Sequence, residues 1–425
     1  MSGHIQHHEQ TKGRELITLL VLTAVQFTHI LDFMIIMPLG PQLMRGFQIS
    51  PAQFTHLVAA YGLAAAISGF AGGFVLDRFD RKRALLILYA GFGLATLACG
   101  LAPSHHALLV ARLAAGAFGG LSGSMVTAMV GDIIPPSRRG RAMSLVMASF
   151  PVASVLGIPI GLLLAGKFGW HAPFFLLAAC AGVNLLIASF ALPHLRTAVQ
   201  SHRPVQQMRE IVTHGIHLRA FALSAVLIMA GGCVIPFLAQ SLITNLGIAE
   251  SDLPKIYAVG GLATFVSMPL VGRLSDRVDR LRLFTVITVF AMIVVVVLTN
   301  LGPSSLAVAC TVMALFMMTM SGRFAPAMAM ISNSVAARYR GGFMSVNSAL
   351  QQAASGIANM LAGMVVTQAP DGRLLGYPTL GIISVGFFAC TLVLAARLSA
   401  AAPHVSKPTA KPGAPAAIAA TEASA

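Results

Sequence analysis

Apolar runs alternate with short polar stretches along this chain at a spacing that few water-soluble folds tolerate. A helix crossing about 30 Å of hydrocarbon needs roughly 20 apolar residues. Twelve runs satisfy that requirement: 16–38, 53–76, 84–102, 106–131, 143–166, 172–192, 219–245, 255–274, 283–301, 306–333, 343–367 and 377–397. They are continuously apolar, without the period-two alternation of barrel strands, so helices are expected. The first run is longer than the apolar core of a secretory signal and lacks a small-residue cleavage pattern, so it is expected to stay and span. Between the sixth and seventh runs the polar stretch lengthens and carries Pro193, Arg196, Arg203, Pro204 and Arg209.

The pattern predicts an all-α membrane protein of twelve transmembrane helices. An N-terminal six-helix bundle (1–192) is joined by a cytoplasmic linker (193–218) to a C-terminal six-helix bundle (219–399). The Ala/Pro/Ser/Lys-rich stretch 400–425 is expected to be a disordered cytoplasmic tail.

Composition sharpens this. The 425 residues are 56% hydrophobic and 10% charged, with a net charge of +15 from 28 Lys+Arg and 13 Asp+Glu. In a soluble protein that basic balance would suggest nucleic-acid binding. Here 22 of the 28 basic residues fall on the side that carries both termini, and only Arg45, Lys167, Lys255 and Arg373 fall on the other. That is the positive-inside asymmetry, and it predicts cytoplasmic termini in a cell inner membrane. The excess charge is therefore a topology signal, and no nucleic-acid partner is expected. Five isolated cysteines, without a CxxC pair, indicate small apolar packing residues rather than disulfides or zinc.

The halves repeat. Gly73-Phe-Val-Leu-Asp77-Arg78-Phe-Asp80-Arg81 recurs as Gly272-Arg-Leu-Ser-Asp276-Arg277-Val-Asp279-Arg280, and Arg139-Gly-Arg-Ala-Met143-Ser144 matches Arg340-Gly-Gly-Phe-Met344-Ser345. Two homologous six-helix halves, related by an axis along the membrane normal, are an architecture of alternating-access transporters.

These motifs resemble those of the major facilitator superfamily, most closely its twelve-spanning drug/proton antiporter and sugar-exporter-like branch. The loop after span 2 is similar to the family's Gly-x-Leu-Ala-Asp-Arg-x-Gly-Arg-Lys motif, with Val75 for the leucine and Asp80 for the second glycine. Arg112-Leu-Ala-Ala-Gly116 in span 4 is similar to its Arg-x-x-x-Gly motif. Gly157-Ile-Pro159-Ile-Gly161 in span 5 resembles its antiporter motif, with one residue between Gly and Pro. The resemblance implies the major facilitator fold and a proton-coupled secondary transporter, with export favoured over uptake. It also implies proton coupling through an acidic residue of span 1 and the span-4 arginine. The Asp77, Arg78, Arg81 and Asp132 positions, with Gly272, Asp276, Arg277 and Arg280 in the second half, would form a cytoplasmic charge network favouring the outward-facing state.

The residues themselves point the same way. Of the 13 acids, only Asp32 lies inside a span. A carboxylate there costs about 3 kcal/mol on insertion scales and needs a partner or a proton. Asp32 is six residues from Pro38 at the outer end of span 1, and Arg112 six from His106 at the outer end of span 4, so both sit about 9 Å deep. An ion pair is feasible, serving either proton exchange or a static strut. Gln26, His29 and Asp32 share a face, so His29 either relays a proton or simply hydrogen-bonds.

Arg323 is the other charge within a span. It either holds a substrate group or caps carbonyls freed near Pro326. In span 11, Ser348, Gln352, Ser355 and Asn359 form one stripe, and Gln240 follows a kink at Pro236 in span 7. Such a stripe faces a substrate cavity or hydrogen-bonds between helices. Gly69/Gly73, Gly116/Gly120, Gly119/Gly123 and Gly157/Gly161 permit close helix approach. No phosphate-binding loop or metal-ligand set occurs, so no cofactor and no enzymatic activity are expected. The expected partners are protons, a small amphipathic molecule and the lipid bilayer. The repeat architecture can work as a monomer.

Overall fold

A computed structural model describes residues 2–75, 79–193, 204–336 and 339–407. Helix α1 (Ser2–Ile35) is followed by a short α2 (Gly40–Phe47), then α3 (Pro51–Val75), α4 (Arg81–Gly100) and α5 (His105–Ile133). Span 5 is built from α6 (Pro136–Met147), α7 (Ser149–Val152), a π turn (Ala153–Gly157) and α8 (Ile158–Phe168), and α9 (Ala172–Ala191) completes the first bundle. The connection contains α10 (Pro204–Thr213). The second bundle comprises α11 (Gly215–Gly232) and α12 (Leu238–Thr244), then α13 (Leu253–Ser275) and α14 (Arg280–Asn300). It continues with α15 (Leu306–Gly322), α16 (Phe324–Asn333), α17 (Arg340–Val365) and α18 (Tyr377–Ala401). A two-residue antiparallel pair, β1 (Thr367–Gln368) and β2 (Leu374–Leu375), closes the loop before α18.

Among the described residues, eleven helical segments are long and apolar enough to cross a membrane. The twelfth expected span is α17. It is 26 residues long, but Asn347, Ser348, Gln351, Gln352, Ser355 and Asn359 dilute its apolar character. Length and packing make it part of the bundle, and its polarity is that of a helix turned towards protein. Large exposed side chains such as Ile67, Ile87, Leu186, Phe190, Val286 and Ile382 mark the lipid-facing flanks. Cys99 and Cys233 are buried as expected, whereas Cys180 and Cys390 are exposed among those flanks.

The apolar cores are arranged asymmetrically. On the side opposite the termini one continuous core takes residues from both halves, including Leu31, Phe54, Phe174, Phe237, Leu253, Phe316 and Tyr377. On the terminus-bearing side there are two cores. Val21, Leu85, Met125 and Val146 belong to one, and Phe221, Phe284, Met330 and Phe343 to the other, each confined to its half. The halves are thus joined across one side and packed separately on the other.

Residues just past 400 belong to the fold: α18 continues to Ala401 and the turn Pro403–Val405 buries Val405. Residues 408–425 lie outside the described residues. In the linker, Ile211 of α10 is buried and the Tyr339 hydroxyl donates to Glu210 at 2.5 Å, which fastens α10 to the second half. Residues 194–203 lie outside the described residues.

Candidate functional site

The Asp32 carboxylate and Arg112 guanidinium meet at 2.8 Å, and both side chains are fully buried. Arg112 Nη1 also donates to the Asp32 carbonyl at 3.1 Å, and the guanidinium lies over the Tyr61 ring, 4.5 Å from its centroid. The Tyr61 hydroxyl donates to the His29 carbonyl at 3.3 Å, so α1, α3 and α5 are tied around one charge pair. Contact is single-pronged: Asp32 Oδ1 and Arg112 Nε and Nη2 have no protein partner. Gln26 and His29 lie on the same side of α1, against α5, where a Cβ on Gly123 would stand 3.0 Å from His29 Nε2. Both side chains are half-buried, and Gln26 Oε1 and His29 Nε2 lack a protein partner. Glycine at 116, 119, 120 and 123 lets α5 accept the Tyr61 backbone, the Tyr61 hydroxyl, Ala65 and His29 in turn. The depth-matched pair is therefore present, with the Gln26–His29 face beside it.

In span 5, Gly157 and Gly161 receive Leu31 and Ile35 of α1; Cβ atoms there would approach those side chains to 2.7 and 2.6 Å. Pro159 has no N–H for the carbonyl of Ser154, its partner in π register. Gly261 of α13 packs on that carbonyl, where a Cβ would come within 2.5 Å.

The second half holds the remaining polar candidates. Span 7 breaks after Gly232 into a 3₁₀ turn, Ile235–Phe237, around Pro236. The freed carbonyls are claimed by α18: Ser384 Oγ donates to Ala230 and the Tyr377 hydroxyl to Val234. Gln240, past the break, is 6% exposed with Oε1 unpartnered in the protein. Arg323 is 4% exposed. It does not cap carbonyls near Pro326; its Nη2 donates across to Leu227 of α11 at 2.9 Å, and its guanidinium lies 4.4 Å from the Phe388 ring centroid.

The span-11 stripe is only partly inward. Ser355 and Asn359 are buried and Gln352 is half-buried, but Ser348 is exposed. The residues one position earlier in two of those turns turn inward instead: Asn347 is fully buried, and Gln351 Nε2 donates to Ser224 at 2.9 Å. Their spacing of four was itself the signal, read one position out of register.

At the terminus-bearing end, Arg81 Nε donates to Asp132 Oδ2 at 3.1 Å. Asp77 and Arg78 lie outside the described residues, and Gly73 is in the last turn of α3. The Asp-for-Gly replacements have a local role: Asp80 accepts from the Arg83 amide and Asp279 from the Arg282 amide, capping α4 and α14 alike. Arg280, the counterpart of Arg81, donates to the Val405 and Lys407 carbonyls. Gly272 is open to space, and Asp276 and Arg277 are exposed.

On the opposite side the halves are clasped. Arg45 pairs with Glu250 at 2.5 Å and Gln42 donates to Glu250 at 2.9 Å, all three between the expected spans, and Phe54 of the second span meets Phe237 of the seventh with ring centroids 6.2 Å apart. Beside this clasp is a cavity of about 690 Å³ lined by Arg45, Gln48, Gln240, Gly363 and Gln368 among others. Pairing across some 200 residues leaves no local signature.

A family model described as the Major Facilitator Superfamily matches residues 22–229 and 220–423, once on each half. The chain belongs to this superfamily. Such facilitators are transporters, not enzymes, and move small molecules. The chain is similar to an uncharacterized MFS-type transporter, YceJ of Bacillus subtilis, at 35% identity over 190 residues, which are 44% of this chain and 48% of that one. The match thus spans about half of that relative. Multidrug resistance protein 2 of the same organism is 28% identical over 275 residues, covering 62% of this facilitator and 68% of the relative. Among solved structures, a bacterial homolog of the human lysosomal transporter Spinster, inward-facing and occupied, superposes with a TM-score of 0.73 at 18% identity, covering 92% and 98% of the two chains. That likeness bears on the fold alone.

Proposed function

We propose that this facilitator is a proton-coupled antiporter of the cell inner membrane, exporting small amphipathic compounds by alternating access between its two bundles. The buried Asp32–Arg112 pair carries the reading. A carboxylate at this depth is stable only when paired or protonated. A proton added at Asp32 Oδ1, the oxygen Arg112 leaves open, neutralises the carboxylate and removes most of its hold on the guanidinium. Loss of the proton restores the pair. Two protonation states thus favour two arrangements of α1 and α5, which is the differential a coupled transporter needs. Gln26 and His29 offer a polar route beside the pair, and Gln240, Gln352, Ser355 and Asn359 offer hydrogen bonds to the cargo. The Gly157–Pro159–Gly161 element and the multidrug-resistance relative support export.

Purified protein in proteoliposomes, screened with amphipathic compounds while internal pH is followed, tests the reading. Opposed substrate and proton fluxes are expected, with flux abolished by Asp32→Asn. Parallel fluxes would mean uptake by symport, and full active transport by Asp32→Asn would refute proton coupling through this pair.

A further inference from the structure

We infer that Arg323 is a receiving site for an anionic group, of carboxylate size, on the transported molecule. The inference deepens the transporter reading by naming a substrate class.

Arg323 is a cation in the interior of the second bundle, and no carboxylate among the described residues pairs with it. The described acids after the linker are Glu250, Asp252, Asp276, Asp279 and Asp371; all lie outside helices α11 to α18. The contrast with Arg112 is direct. Both guanidiniums donate to a backbone carbonyl of the first helix of their bundle, Asp32 or Leu227, and both lie on an aromatic ring. Only Arg112 has a carboxylate. Guanidinium cannot relieve its burial by losing a proton near neutral pH, and a buried charge without a partner is strongly unfavourable. Arg323 Nε and Nη1 have no protein partner. Their open N–H groups are charge-bearing donors that an anionic oxygen on a ligand can accept.

Span 7 passes Arg323 at Gly231, where a Cβ would stand 3.2 Å from Met320 Sδ and 3.4 Å from Nη2, and neighbouring Gly232 faces Ala358 of α17. Next to Ala358, Asn359 is 1% exposed with both amide atoms unpartnered in the protein. Cation, amide and apolar contacts from Met320 and Phe388 together suit a weakly acidic amphipath. The first bundle would then supply the proton-linked charge and the second the cargo-linked charge.

Benzoate, phenylacetate and 2-naphthoate, each against its amide, are the probes, read by thermal unfolding of the purified full-length protein. Each acid is expected to stabilise the wild type more than its amide does. Arg323→Gln is expected to weaken the acids roughly tenfold or more and leave the amides unchanged. Arg323→Lys keeps the charge and is expected to retain part of the preference, which keeps the test open if the glutamine variant does not fold. Equal effects of acid and amide on the wild type, or an acid preference that survives in Arg323→Gln, would overturn the inference. A chloride titration separates the sources of the anion: stabilisation by chloride alone, lost in Arg323→Gln, would mean a resident halide and overturn the cargo assignment. Asp32→Asn is expected to keep the acid preference while losing proton flux, so failure of this site and failure of proton coupling are distinguishable.

Discussion

Breaking the Asp32–Arg112 pair one partner at a time should cost far more than removing both. The charge centres of a bridge with a 2.8 Å contact are about 4 Å apart, which corresponds to about 4 kcal/mol at an effective dielectric constant near 20. Asp32→Asn removes that attraction and leaves a fully buried guanidinium held by the Asp32 carbonyl and the Tyr61 ring alone. Loss of one member of a buried pair typically costs about 3–5 kcal/mol, and cation–π contact offsets up to about 2 kcal/mol where desolvated. A net loss of about 3 kcal/mol is expected, more than two decades in the unfolding equilibrium at about 1.4 kcal/mol per decade. The double variant Asp32→Asn/Arg112→Gln has neither stranded charge, and should recover most of that loss. Equilibrium unfolding in mixed micelles of dodecyl maltoside and SDS measures the four corners of the cycle. Coupling of about 3 kcal/mol is expected. Additivity to within about 0.5 kcal/mol would show that the two side chains do not sense each other and would refute the argument.

Two smaller effects follow from the helix ends and the clasp. Arg45→Ala should loosen the side opposite the termini only slightly, because the Arg45 and Glu250 side chains are 60% and 33% exposed and such pairs contribute less than about 1 kcal/mol. Spin labels at Ser50→Cys and Gln368→Cys should report a longer-distance population, and high salt should bring the protein with Arg45 towards the same distribution; an unchanged distribution would remove the clasp from the account. Asp80→Ala and Asp279→Ala should each lower stability by about 1 kcal/mol through loss of an N-cap, additively because they lie in different halves. Unchanged thermal unfolding in both would sink that assignment.

How much of this was legible in the sequence depends on the range of the cause. Apolar run length alone placed the spans, because the bilayer imposes it locally. Depth arithmetic brought Asp32 to Arg112, since helix rise is constant along straight, antiparallel segments. Residues whose partners are remote were not legible: Arg45–Glu250 joins the two halves, and Arg323 finds Leu227 on another helix. The α17 stripe shows the limit of periodicity. Steps of three and four select a face, but which of two adjacent polar faces turns inward is decided by the neighbouring helices. Asn347 and Gln351 face inward where Ser348 does not. The π turn at Ala153–Gly157 was likewise invisible, because it joins the missing Pro159 donor to a neighbour, Gly261, about a hundred residues away.

The seam between α3 and α17 bears on speed as well as on structure. Gly62 faces the Gln352 carbonyl, Gly356 faces Leu63 and the Ala59 carbonyl, and Gly363 faces the Thr55 side chain and Ala52. Main chain meets main chain at Gly62, while the Leu63 and Thr55 side chains seat in the spaces left by Gly356 and Gly363. One helix slides along the other only if those two side chains leave their seats, so the seam moves in steps. A methyl at Gly62, 3.0 Å from the Gln352 oxygen, would then act as a detent, lengthening the dwell time in each state more than it moves the balance between them. A Gly62→Ala substitution is expected to lower the rate of exchange between arrangements more than it shifts their balance.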